Sequence, residues 1–151
     1  MNALPILAFC AGSAIAVQAS MNAQLGVLLK SSMLGTGIAF LFACFFTVLV
    51  VVSSKQYPLL TDVKTVPIYL WFSGGAIAAF GVGVFYYLIP KMGVGSMMSF
   101  ALSGQILTAI ISSHFGWFDQ PTKPIDSKVI IGTAALVVGI LLINWESSHD
   151  Y

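Results

Sequence analysis

Five long apolar runs, separated by short polar stretches, set the pattern of this chain. They run from about Leu4 to Leu29, Met33 to Val52, Ile68 to Ile89, Val94 to Ser113 and Lys128 to Trp145. A helix needs about 20 mainly apolar residues to cross the hydrocarbon core of a bilayer, so each run is a candidate span. The breaks are equally legible. Ser53 to Pro67 reads as a polar loop, Pro90-Lys91-Met92-Gly93 as a tight turn, and Phe115 to Ser127, with Pro121 and Pro124, as the most polar loop. A short acidic tail with Glu146 and Asp150 follows. In lipid only helices and closed barrels satisfy the backbone, and these runs lack the strict alternation of barrel strands. The pattern predicts an all-α integral membrane protein, one transmembrane domain of five helices spanning residues 1–151.

Composition strengthens that reading. The chain is 58% hydrophobic and only 7% charged, whereas a soluble domain carries about a quarter charged residues. Its exterior must therefore be lipid. The six basic residues are all lysines, scattered singly, and the net charge is +1, which argues against nucleic acid as a partner. Cys10 and Cys44 lie within apolar runs and read as small packing residues. No Lys or Arg precedes the first run, so it reads as a retained helix and not as a cleaved signal. Trp71, Trp117, Trp145, Tyr57 and Tyr69 fall near predicted helix ends, as interfacial anchors do. With five spans, Lys55, Lys64, Lys123 and Lys128 share the N-terminal side, and Lys30 and Lys91 lie on the other. The positive-inside rule then places the N-terminus in the cytoplasm.

The polar residues within the spans carry the candidate chemistry. Gln18 and Asn22 are four apart on one face of the first helix, extended by Ala11, Ala14 and Ile15. Met98, Ala101, Gln105, Thr108 and Ser112 form a second stripe of polar and small residues on the fourth helix. An amide in hydrocarbon is costly unless paired, so these side chains face the bundle interior or a wet cavity. Two readings stay open: an uncharged solute site, or hydrogen bonds that join helix to helix. Tyr86, after the small residues Gly75, Ala79 and Gly83, is a candidate at the cavity mouth, and an anchoring role is equally open. Gly132, Ala135 and Gly139 make a small face on the fifth helix that suits packing within the chain or against a partner. His114 reads as a solvated helix-end residue. No catalytic cluster, no metal-ligand spacing and no phosphate loop is present in the sequence, so neither an enzyme nor a cofactor is expected.

Several stretches together resemble a known superfamily. They are Gln18-Ala19-Ser20-Met21-Asn22-Ala23-Gln24-Leu25-Gly26, Gly74-Gly75-Ala76, Phe85-Tyr86-Tyr87-Leu88-Ile89-Pro90, Gly93-Val94-Gly95, Gly104-Gln105, and the final helix from Ile131 to Asn144. In order and spacing they resemble the drug/metabolite transporter superfamily. The likeness is to its short five-helix bacterial inner-membrane branch, the YdcZ-like proteins. That superfamily includes four-helix multidrug exporters that work as antiparallel dimers and ten-helix exporters built from two inverted halves. A five-helix chain is similar to one such half. The resemblance implies a dimer with a second copy or a paralogous five-helix chain, with Gly132, Ala135 and Gly139 at the interface. It also implies residence in the bacterial inner membrane. The four-helix exporters carry a membrane-embedded Glu in the first helix; this chain has no carboxylate there.

The expected function is therefore transport of a small polar metabolite or drug-like solute by alternating access in an inverted dimer, with Gln18, Asn22, Gln105, Thr108, Ser112 and Tyr86 at the site. The rival is a membrane accessory subunit or helix-packing scaffold that moves nothing.

Overall fold

The computed structural model describes residues 3–55, 57–58 and 60–145. The acidic tail with Glu146, His149 and Asp150 lies outside the described residues. All regular structure among the described residues is helical: α1 (Leu4–Leu28), α2 (Ser32–Ser54), α3 (Leu60–Thr65), a 3₁₀ turn (Ile68–Trp71), α4 (Ser73–Met92), α5 (Val94–Phe115), a second 3₁₀ turn (Trp117–Asp119) and α6 (Ser127–Ile143). Four stretches are long and apolar enough to cross a membrane: α1, α2, Ile68–Met92 and α5. The last apolar helix, α6, is shorter at 17 residues. At 1.5 Å per residue it reaches about 26 Å, against about 30 Å of hydrocarbon.

Three boundaries differ from those expected. The loop before the third run contains α3, a helix of six residues. Fewer than two turns cannot display a helical period, so the pattern of polar residues concealed it. The third run does not start as one helix: Pro67 opens a 3₁₀ turn, Phe72 breaks it at φ −129°, and α4 begins at Ser73. At its other end α4 continues through Pro90 to Met92. Proline there removes one donor and crowds the Tyr86 carbonyl, yet the helix runs two residues past it. Gly93, at φ +81°, is the residue that ends the helix.

The chain forms two compact units, residues 1–92 and 93–151. In the first, α1, α2 and α4 pack mutually. The α1–α2 turn is tight. Lys30 takes φ +54°, the Ser31 N–H donates to the Gly26 carbonyl at 2.9 Å, and the Ser31 hydroxyl caps α2 by accepting from the Leu34 N–H at 3.2 Å. The helices meet through small residues. Ala19, Ala23, Gly26, Gly35, Thr36 and Gly83 are all buried. A Cβ on Gly35 would lie 3.0 Å from the Gly26 Cα and 3.1 Å from the Asn22 carbonyl oxygen, so only glycine permits this approach. On α4, Gly83 packs against Met33 and Thr36, while Gly74 and Gly75 face open space. The outward faces are apolar: Phe9, Leu41 and Ile77 are among many large side chains left exposed. That inside-out distribution suits a lipid exterior. Cys10 and Cys44 are free and also face outward, so they do not serve as packing residues.

In the second unit, α5 and α6 pack together, and Met97 and Ile140 are their buried residues. Asp126 caps α6 by accepting from the Val129 N–H at 2.8 Å. The Lys123 N–H donates to the Ser113 carbonyl at 2.9 Å and folds the connecting loop back onto the end of α5. Trp71, Trp117, Trp145, Tyr57 and Tyr69 are exposed at or beside helix ends, where a membrane interface takes them.

Candidate solute site

The first unit holds a closed group of three polar side chains. Gln18 and Asn22 project from one face of α1 because four residues make about one turn. The Asn22 Nδ2 donates to the Gln18 Oε1 at 2.7 Å. From α4, the Tyr86 hydroxyl accepts from the same Asn22 Nδ2 at 3.0 Å and donates to the Gln18 Oε1 at 3.4 Å. Each member touches the other two. Tyr86 is only 2% exposed, Asn22 is half-buried and Gln18 is exposed. Asn22 lies about 9 Å along the helix axis from Ala16, the midpoint of α1. With α1 centred on the bilayer, the group is inside the hydrocarbon, whose half-thickness is about 15 Å.

These bonds leave specific valences over. A carboxamide offers two donors and two acceptor lone pairs. Both Asn22 donors and both Gln18 lone pairs are used inside the group. The Gln18 Nε2 and the Asn22 Oδ1 make no hydrogen bond among the described residues. The site therefore retains an unused NH2 donor group and an unused carbonyl acceptor but carries no formal charge. Tyr86, expected at a cavity mouth, is buried, links α1 to α4 and also lines a surface groove.

The second unit places its candidates differently. Gln105 and Thr108 are exposed on α5 and Ser112 is half-buried. None of the three side chains makes a hydrogen bond among the described residues. The polar contact between α5 and α6 falls on residues that the stripe did not include. The Asn144 Nδ2 donates to the Ser99 Oγ at 2.9 Å and to the Ile140 carbonyl at 2.8 Å. The Ser99 Oγ in turn donates to the Ser96 carbonyl at 2.8 Å, and the Ser103 Oγ to the Ser99 carbonyl at 3.1 Å. The Asn144 Oδ1 is buried with no partner among the described residues. Ser96, Ser99 and Ser103, spaced three and four apart, were the available signal for a second polar face. On α6, Gly132 and Ala135 are exposed and Gly139 is half-buried, and a Cβ on either glycine meets nothing within 4 Å. This small face is not consumed by packing against α5.

An apolar-surfaced helical bundle with membrane-length helices and an uncharged polar group between them defines a class: a multi-pass membrane protein. Within that class the assignment is specific. Residues 3–142 match the model of the DMT-type YdcZ family, described as a "putative inner membrane exporter, YdcZ". The match covers most of the chain, and the chain belongs to that family. It is a multi-pass protein of the inner membrane. No curated protein and no solved structure matches it.

Proposed function

We propose that this chain moves a small polar solute, neutral or zwitterionic, across the inner membrane by alternating access in an antiparallel dimer. The observation that carries the reading is the hydrogen-bonded group of Gln18, Asn22 and Tyr86 within the spans of a family described as an exporter. Amides and a phenol both donate and accept, which suits polar metabolites. The absence of any carboxylate from α1 disfavours a bare cation, because an uncompensated charge in such a site is costly. In this scheme α6 is a fifth, short span. Its free small face meets a second copy or a paralogous chain, and inverted halves rock about a site near the midplane. Gln105, Thr108 and Ser112 contribute further donors and acceptors to the solute path.

The lysine distribution supports a cytoplasmic N-terminus. Single cysteines at Thr122 and Ser148, in a chain with Cys10 and Cys44 replaced, test the orientation in intact cells. Labelling of position 148 from outside, with none at 122, is the expected outcome. The reverse pattern inverts the topology, and equal labelling means dual insertion.

The rival reading, a scaffold that transports nothing, draws on the same group of three, because its members also satisfy one another and join α1 to α4. Solute-dependent flux in liposomes containing only this chain separates the two. Asn22→Ala and Gln105→Ala should each lower flux with expression and dimerisation intact. Flux equal to the parent in both variants leaves the amides as helix-to-helix glue and sinks the transport site.

A further inference from the structure

The group of Gln18, Asn22 and Tyr86 is defined as much by the valences it leaves open as by those it closes. The Asn22 Nδ2 spends both hydrogens, on the Gln18 Oε1 at 2.7 Å and on the Tyr86 oxygen at 3.0 Å. The Gln18 Oε1 spends both lone pairs, since the Tyr86 hydroxyl also donates to it at 3.4 Å. Tyr86 is buried, and its one hydroxyl hydrogen is committed. The group still offers one NH2, on Gln18, and one carbonyl oxygen, on Asn22. Turned end for end together, the two amides would exchange these groups and again offer one of each. Gln18 is exposed and Asn22 half-buried, so a solute can reach both residues.

The two open atoms are also close to each other. Each shares a carbon with an atom of the 2.7 Å bond, and the bonds to that carbon are about 1.2 and 1.3 Å long. The open pair therefore lies within about 8 Å. A carboxamide with a hydrogen bond of about 2.9 Å at each end reaches the same distance. A hydroxyl, which donates and accepts through one oxygen, reaches only about 6 Å. An ammonium brings donors alone and leaves the Gln18 NH2 unmet. A carboxylate brings acceptors alone and sets an oxygen against the Asn22 oxygen.

We propose that this group recognises an amide edge on the solute, as in a carboxamide, a urea or a lactam. The solute carbonyl accepts from the Gln18 Nε2, and its N–H donates to the Asn22 Oδ1. The inference rests on the transport reading and narrows its polar solute to an amide-bearing one.

The test uses the full chain, isotope-labelled and held in lipid nanodiscs. It follows the Gln18 side-chain NH2 resonances, assigned by their loss in Gln18→Leu. The probes share one ring and differ in one group: nicotinamide, its methyl ketone counterpart, nicotinate, and the corresponding primary alcohol. Acetamide repeats the measurement without the ring, so that size alone cannot hide the site. Both amides should shift the Gln18 signals saturably. The ketone, the alcohol and nicotinate should each bind at least about tenfold more weakly than nicotinamide, the worth of one hydrogen bond. Gln18→Glu exchanges the open NH2 for an oxygen. Read on the Asn22 signals, it should weaken nicotinamide binding about tenfold. Equal affinity for the four ring probes, an unchanged affinity in Gln18→Glu, or no shift with either amide overturns the inference. Flux of a solute library into liposomes containing the chain is measured separately. Flux of solutes that lack an amide, with equal affinity for the ring probes, removes this inference and leaves transport standing. A preference for the amides with no flux of any solute does the reverse.

Discussion

The two units of this chain solve the same problem, a polar residue in lipid, in different ways. In the first, three helices approach through Ala19, Ala23, Gly26, Gly35 and Gly83, and the amides of α1 find a phenol on α4. In the second, α5 and α6 share a thin core, one serine–asparagine contact and an unspent Asn144 oxygen. Gln105 and Thr108 stay exposed, and Gly132 and Gly139 face open space. Close helix approach lets a polar group be satisfied inside one bundle. Where the approach is loose, the polar and small faces remain available to something else.

Substitutions should separate the two units cleanly. The largest effect is expected at Gly35→Leu, whose side chain would meet the Gly26 backbone and the Asn22 carbonyl. Backbone cannot yield as a flexible side chain can, so the cost should be about 3 kcal/mol in a reversible unfolding titration in mixed micelles. A cost under about 1 kcal/mol would mean that α1 and α2 are not closely packed. Gly139→Leu should leave monomer stability unchanged, because nothing lies within 4 Å of the added Cβ. It should weaken association about tenfold, or about 1.4 kcal/mol, in a bilayer energy-transfer assay. If parent and variant are both monomeric, the dimer fails. Tyr86→Phe removes the hydroxyl that links α4 to both amides and should cost about 1 kcal/mol, in line with polar contacts between membrane helices. The same titration checks it; an unchanged midpoint would show the link to be energetically idle. Gln105→Ala should change stability by no more than about 0.5 kcal/mol, since its side chain is exposed. A loss above 1 kcal/mol would show Gln105 to be a structural residue of the second unit.

Much of this architecture was legible because lipid makes the signal one-dimensional. Long apolar runs located α1, α2, α5 and α6 to within two residues at every end, and Ser31 and Asp126 cap where the polar breaks fall. What escaped was local backbone detail. Six residues of α3 are too few to show a period, and Pro90 reads as a stop although α4 runs two residues past it. For the candidate site, helical spacing brought Gln18 and Asn22 to one face, which needs only the 3.6-residue period. It did not reveal that Tyr86 would be the buried third member, because that depends on which face of α4 meets α1. Nor did it select Ser99 over the stripe of Gln105 and Thr108, since the two lie on nearly opposite faces of α5, both are part polar, and spacing alone does not say which one meets Asn144 at the end of α6.

The bond between Asn22 and Gln18 lies within one helix, four residues apart, whereas Tyr86 follows Asn22 by 64 positions. That difference has a consequence for biogenesis. During synthesis α1 and α2, joined by the three residues Leu29 to Ser31, leave the ribosome as a hairpin well before α4 exists. The two amides can pair as soon as α1 coils, so the hairpin enters the bilayer with two of its intramembrane amides already partly masked. The phenol then arrives last and closes a contact that the membrane has already tolerated half-made.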